Sequence, residues 1–438
     1  MFHEGSQFVR VGSLILLREK SRGIFTSLRL RFTRFGDGPT DHLVQSPQSA
    51  FLPPLNPGIV CNSFDICPTL PTLIHHPATP LQPSELDRYL FAGWRPTGQS
   101  IYTSDFLRTE DDELRGCIQL RLPLAGHQFR KSHRKLLRRN GARFRWTTAP
   151  AGAPDEAMLE VNRRYMVVHP TKTREDIAYH ITGEFDRKVL PTHVLKVFDG
   201  DQLVAFSFYD LGENITYSKA GIYDPAYARH SLGIYTMLLE VQQAMDREDQ
   251  YYYPGYFAPA YPLFDYKIEL GKMEYRDILS GRWLLLPDNR GDYPEDPKAA
   301  NQRALENMAE ALRENGIAVR YREYPSFTGR FRYPQDGGGM VDAPMLLVLG
   351  RRLPLGRFRI ITYENHTGQY RYSIVGGANL YDVKVRQISQ DGVPRFTTPV
   401  RELRVLAHHP SVSEIIGAVK GWGLPESGVG VKNEQQDQ

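Results

Sequence analysis

At 438 residues the chain exceeds one compact domain, and 41% hydrophobic against 24% charged residues is the balance of a folded protein rather than a disordered one. A net charge of +4 demands no polyanionic partner by itself, so the local distribution of charge carries the information. Three cysteines (Cys61, Cys67, Cys117) without a CxxC argue against a disulfide scaffold and fit a cytoplasmic protein, and no apolar run has the length of a membrane span.

Residues 1–82 read as a poorly defined N-terminal segment. Its start is rich in Arg and poor in acids, which fits a leader better than a transit peptide, and Pro and Gly punctuate the rest. A helix is expected after Ser84, taken as N-cap, with acids in its first turn. Residues 115–122 alternate as one strand, and 154–168 repeat apolar residues (Met158, Val161, Tyr165, Met166) at helical spacing. Strands are expected at 193–199 and 203–210, joined by Asp199-Gly200-Asp201, with a third at 214–223. Ser231 to Met245 reads as a helix, and Tyr251-Tyr252-Tyr253 opens a strand that Pro254 and Gly255 interrupt or bulge. A helix after a hairpin most simply crosses over to a parallel strand, so the class is mixed α/β.

The text changes after Pro287. An acidic, proline-rich linker leads to an amphipathic helix at about 297–315, then the strand IAVRYREY, apolar MLLVLG and a Tyr-rich β region. The expected organisation is a core at 83–288, an accessory α+β domain at 289–425 and a disordered tail at 426–438.

Between His127 and Trp146 there are eight bases and no acid. Within this stretch, KSHRKLLRRN forms a helix in which Phe129, His133, Leu136 and Leu137 share one side. Arg130, Lys131, Arg134, Lys135, Arg138 and Arg139 then face outward, as a phosphate backbone requires.

KSHRKLLRRN resembles the S-x-x-R-x-(V/L)-x-R-x-N region of the arginyl- and leucyl-tRNA–protein transferases. Gly93-Trp94-Arg95-Pro96-Thr97-Gly98 and Tyr102 are similar to a segment that precedes it in that family. Leu203-Val204-Ala205, Asp210, Tyr217-Ser218, Asp224-Pro225, Ser231-Leu232-Gly233, Tyr253, Gly255-Tyr256 and Tyr266-Lys267 follow in the family's order. The resemblance covers roughly 83–285 and implies a GNAT-like acyltransferase core. The chain departs from the family in its cysteine groups, of which Cys117 matches one position, and in His230, which stands where the family has Arg. Cys61, Cys67, His75 and His76 lack regular metal-ligand spacing, so no metal is expected.

The resemblance implies transfer of Arg or Leu from aminoacyl-tRNA to the N-terminal amine of an acceptor, the chemistry of N-degron tagging. The tRNA is an activated ester and the amine a ready nucleophile, so alignment, proton removal and oxyanion stabilisation suffice, without a cofactor. His230, Ser231 and Gly233 are expected at the tRNA 3′ end. Asp210, Tyr217 and Tyr256 are expected to bind the amine or move its proton, and Tyr253, Gly255 and Lys267 to contact substrate. Two alternatives stand beside this: a CoA-dependent N-acyltransferase on the same fold, and a relative that binds tRNA or protein without catalysis.

Overall fold

The Asp199-Gly200 turn, with Gly200 at φ +61°, joins two neighbouring strands of the largest sheet among the described residues. The computed structural model describes residues 8–11, 14–17, 72–109, 113–328, 340–377, 385–386, 395–396 and 399–422. The eight strands of this sheet are β1 (Ile118–Pro123), β2 (Phe144–Pro150), β3 (Thr192–Asp199), β4 (Gln202–Leu211), β5 (Ile215–Tyr223), β6 (Tyr251–Phe257), β7 (Glu274–Arg276) and β8 (Trp283–Leu285). Their order is β8-β7-β1-β6-β5-β4-β3-β2. Only β5 and β6 pair in parallel, over Ile215–Tyr217 against Tyr251–Tyr253, and they part beyond Tyr217. This is the mixed α/β core that the sequence implied.

Helix α1 (Pro83–Phe91) begins two residues earlier than expected. Gln82 rather than Ser84 stands at its N-cap, because Pro83 suits the first helical position and Glu85 accepts from the Gln82 amide at 2.8 Å. Helix α2 (Lys131–Gly141) and helix α4 (Leu232–Asp246) cover one face of the sheet, while α3 (Glu156–Val168) covers the other, together with α1. Helix α4 supplies Met237, Leu238, Val241 and Ala244 to the core under α2. It carries the crossover from β5 to β6 and so places its N-terminus at the end of β5 where the two strands part.

Residues 115–122 are not one strand. The chain breaks at Cys117, whose amide donates to the Asp105 carbonyl at 2.8 Å. Leu114–Gly116 instead pairs with Phe106–Arg108 in a separate hairpin.

The second sheet contains β9 (Val319–Glu323), β10 (Met345–Leu353), β11 (Arg357–Glu364), β12 (Gln369–Gly377) and β13 (Val400–His409), side by side in chain order. Two short strands, Val385–Arg386 and Arg395–Phe396, lie beyond β9. Helices α5 (Pro297–Glu314) and α6 (Val412–Gly421) bury Leu305, Met308, Leu312, Ile415 and Val419 in its core. That core also takes Phe106 and Leu114 from the hairpin, so the boundary drawn at 289 divides the chain but not the packing.

One buried acid sits inside the first core. Glu240 on α4 is 0% exposed, and Tyr252 donates to its Oε2 at 2.8 Å. Burial pushes its carboxyl up to about 7 from 4.5. The folded protein therefore holds a proton between pH 4.5 and 7 that the unfolded chain does not, and stability falls as pH rises through this window. The expected loss is on the order of 3 kcal/mol by pH 8. Glu240→Gln removes the ionisation, so its Tm should exceed the wild type at pH 8 and match it near pH 5. Parallel Tm profiles for the two proteins across that range would refute this account.

Candidate functional site

Two features meet at the N-terminus of α4. The first is the basic helix α2. Phe129, Leu136 and Leu137 pack against the core and His133 is buried, while Arg130, Lys131, Arg134, Lys135, Arg138 and Arg139 are exposed. Apolar docking on one side thus turns six cations to solvent, as the spacing predicts.

The second is the α4 N-terminus itself. Ser231 takes a left-handed conformation at φ 52°, its side chain caps nothing, and the first turn holds no acid. The leading amides of the helix are left for an external acceptor. Helix α2 is fastened here: Asn140 Nδ2 donates to the His230 carbonyl at 2.8 Å and Arg139 Nη2 reaches it at 3.5 Å. Arg143 and Arg229 stand 3.3 and 3.2 Å from His230 Nε2. His230 replaces the family's arginine, yet guanidinium groups from two flanking elements surround it. Gly233 lies against the Tyr223 ring, 3.6 Å from where a Cβ would stand.

The gap between β5 and β6 holds a second cluster. Pairing of β6 with β1 shifts register between Tyr252 and Gly255, and Gly255 sits at φ +95°. A Cβ there would lie 3.4 Å from Lys267 Nζ and 3.8 Å from the Tyr217 hydroxyl, so the bulge brings these two groups together. Lys267 Nζ donates to the Tyr256 carbonyl at 3.0 Å and lies over the Tyr256 and Phe264 rings. The Arg95 guanidinium is buried, with its carbon 5.0 Å from the Tyr102 ring centre and 4.9 Å from that of Tyr256. Arg95 Nη2 donates to the Ser104 carbonyl at 2.5 Å, and its Nε has no partner.

Neither Arg95 nor Lys267 meets a carboxylate among the described residues. Burial, then the charge of Arg95, pushes the Lys267 ammonium down to about 7. Burial also raises the Tyr217 and Tyr256 hydroxyls, so both are neutral donors. Tyr253 is 1% exposed and packs edge-on to Trp283 at 5.7 Å, which supports the gap from within.

Asp210 lies across from Tyr217 in the β4–β5 register. It is 0% exposed and ion-paired at 3.1 Å with Lys219, itself 2% exposed. Lys219 Nζ also donates to the carbonyls of Gly98 at 2.7 Å and His180 at 3.1 Å, and Thr192 donates to Asp210 Oδ1 at 2.6 Å. Burial raises the Asp210 carboxyl and lowers the Lys219 ammonium, and each opposes the other's shift by its charge.

Residues 157–277 match the family model for the C terminus of arginine-tRNA-protein transferase. This region is similar to the aminoacyl-tRNA–protein transferases. The aspartate/glutamate leucyltransferase of Acinetobacter baumannii is 25% identical over 217 residues, covering 49% of this chain and 74% of the relative. That of Vibrio cholerae serotype O1 is 26% identical over 199 residues, covering 44% and 78%. Among solved structures, L-PGS from Bacillus licheniformis aligns over 31% of this chain and 45% of its own, at 14% identity and TM-score 0.22. A glucosamine N-acetyltransferase region of a fungal multi-domain beta-N-acetylglucosaminidase aligns over 46% and 21%, at 9% identity and TM-score 0.25.

The matched region contains Asp210, Tyr217, His230, Ser231, Gly233, Tyr253, Gly255, Tyr256 and Lys267, whereas the bases of α2 precede it. Sequence reasoning passed over Lys219 and gave Arg95 no role. Lys219 is the extra residue of a bulge, since pairing steps from Phe208–Ala220 to Tyr209–Ser218, and alternation alone does not reveal a bulge. Of the cysteines, Cys61 and Cys67 lie outside the described residues. Cys117 is buried, with a thiol pushed up to about 11, and its Sγ donates to the Ser104 carbonyl at 3.1 Å.

No helix among the described residues is long and apolar enough to cross a membrane.

Proposed function

We propose that this chain transfers leucine or arginine from aminoacyl-tRNA to the N-terminal amine of an acceptor whose first side chain is acidic. The observation that carries the acceptor class is the pair Arg95 and Lys267. A buried Arg95 and a half-buried Lys267, both over the Tyr256 ring and without a carboxylate among the described residues, are costly, and a bound anion offsets that cost. The acidic acceptors named for the relatives agree with this.

In this reading α2 holds the tRNA backbone, and the amides of Leu232 and Gly233, with Arg139, Arg143 and Arg229 around them, hold its 3′-terminal phosphate. The aminoacyl ester enters the gap between β5 and β6. The acceptor amine attacks the ester carbonyl, a C–N bond forms, the bond from the acyl carbon to the ribose oxygen breaks, and the amine's proton leaves as that oxygen gains one to become the ribose hydroxyl. Tyr217 and Tyr256 are the hydroxyls that stabilise the oxyanion and relay the proton. Asp210 fixes Tyr217 electrostatically from across the sheet, and Gly255 leaves room for the substrate beside Lys267. No cofactor enters the sequence of steps.

Transfer of labelled leucine or arginine from charged tRNA to peptides starting with Asp or Glu tests the reading. Label transfer from acetyl-CoA instead would overturn it. Replacing Arg134, Arg138 and Arg139 with Ala should weaken tRNA binding and lower the salt slope of log K by about two to three. An unchanged slope would remove α2 from the tRNA site.

A further inference from the structure

Charge is distributed unevenly along the chain. Residues 317–425 carry thirteen Arg and two Lys against eight acids, a net +7, whereas the whole chain carries +4. The remainder is therefore net acidic despite the basic helix. The second sheet concentrates the chain's positive charge.

The structure also sorts this charge within the sheet. Three acids on the strands are already occupied: Glu323 pairs with Arg395 at 3.2 Å and Arg108 at 3.6 Å, Glu402 with Arg371 at 2.7 Å, and Glu364 with His408 at 3.2 Å. Four exposed arginines gather at one end, where β9 and β11 begin and β10 finishes, while Arg404 on β13 lies over the Trp422 ring at 4.5 Å. Arg351, Arg352 and Arg357 flank the β10–β11 turn and are exposed. Arg320 on β9 is exposed and donates to the Gly350 carbonyl at 3.2 Å, which ties it to the same turn. Arg320, Arg351 and Arg357 form no ion pair among the described residues.

We infer that this end of the second sheet is a separate contact surface for the body of the tRNA, away from its aminoacyl end; the inference rests on the aminoacyl-tRNA reading above. Neighbouring strands stand about 4.8 Å apart, so arginines on β9, β10 and β11 span about 10 Å, the reach of two successive phosphates. Arginine in place of lysine supplies paired donors for each phosphate. The sheet is fixed to the transferase core through Phe106 and Leu114, and His366 Nε2 sits 2.6 Å from Asp105 Oδ2 between the two parts. A tRNA held by both surfaces gains by linkage without new chemistry at the ester.

The test compares full-length charged tRNA with a charged minihelix containing only the acceptor and T arms, using the full chain and the triple variant Arg320→Ala, Arg351→Ala, Arg357→Ala. Wild type should bind the full tRNA at least tenfold tighter than the minihelix at 150 mM salt. The variant should bind both alike, with a salt slope for full tRNA lower by about two to three. Its transfer from saturating minihelix should equal the wild type, which reports folding and the active site independently. Equal affinity of variant and wild type for full tRNA would overturn the inference. So would loss of binding to vesicles containing anionic lipid with tRNA binding unchanged, because the turn presents Leu355 at 85% exposure and a lipid surface would use it. Absence of transfer from either RNA in wild type would refute the proposed function itself.

Discussion

Lys267→Met should lower kcat/KM for a peptide starting with Asp by about 30- to 1,000-fold, corresponding to about 2–4 kcal/mol for one partner of a buried charge contact. The same peptide starting with Asn should lose far less, because it offers no charge to the pair. Lys267 also gives the preference a pH dependence. Its ammonium lies near 7 without ligand, pushed down by burial and by Arg95. A carboxylate beside it favours the charged form, so binding raises that value and takes up a proton above pH 7. The Asp-over-Asn ratio should be flat below pH 7 and fall about tenfold per unit above it, until the complex itself titrates. Taking the ratio cancels ionisation of the attacking amine, which the two peptides share. Lys267→Arg keeps the cation at every accessible pH and should hold the ratio level. A wild-type ratio that stays constant from pH 6 to 9 would remove Lys267 from acceptor recognition.

Local chemistry made much of the framework legible. The Asp-Gly turn, the alternation on both sides of it and the helical spacing of Ile234, Leu238, Val241 and Met245 each state a preference within a few residues. Pro254-Gly255 announced the break in β6 on the same terms. Helix α6 was equally legible, with Ser411 before it and Val412, Ile415, Ile416 and Val419 at helical spacing, but the Tyr-rich strands before it drew the reading. What stayed hidden depends on pairing across the chain. Arg95 gains its place from Tyr102 and Tyr256, the latter 161 residues further on, and its burial follows from neither. Cys117 completes a strand by pattern, yet its amide is claimed by Asp105, and the strand divides between two sheets. Lys219 turns inward at a bulge set by the pairing of β4 with β5, which no local pattern states.

That bulge makes Lys219 the most sensitive structural position in the transferase core. Lys219→Met should cost about 3–5 kcal/mol, seen as a lower urea midpoint at pH 7 with little change in slope. The methionine fills the space of the stem but leaves Asp210 charged, unpaired and fully buried. Asp210→Asn should cost less. The carbamoyl oxygen still accepts from Thr192, and Lys219 keeps the carbonyls of Gly98 and His180. Removing both charges, as Lys219→Met with Asp210→Leu, should recover part of the loss, because the desolvation of two ions disappears with their attraction. This series also separates Asp210's two roles. A purely structural Asp210 predicts that Asp210→Asn, once folded, transfers the amino acid at the wild-type rate. An electrostatic role toward Tyr217 predicts a kcat decrease of about tenfold or more with KM for tRNA unchanged, since the charge opposite that hydroxyl is gone while the phosphate contacts on α2 and α4 remain. Wild-type kcat in folded Asp210→Asn would therefore leave proton transfer to Tyr217 and Tyr256 alone.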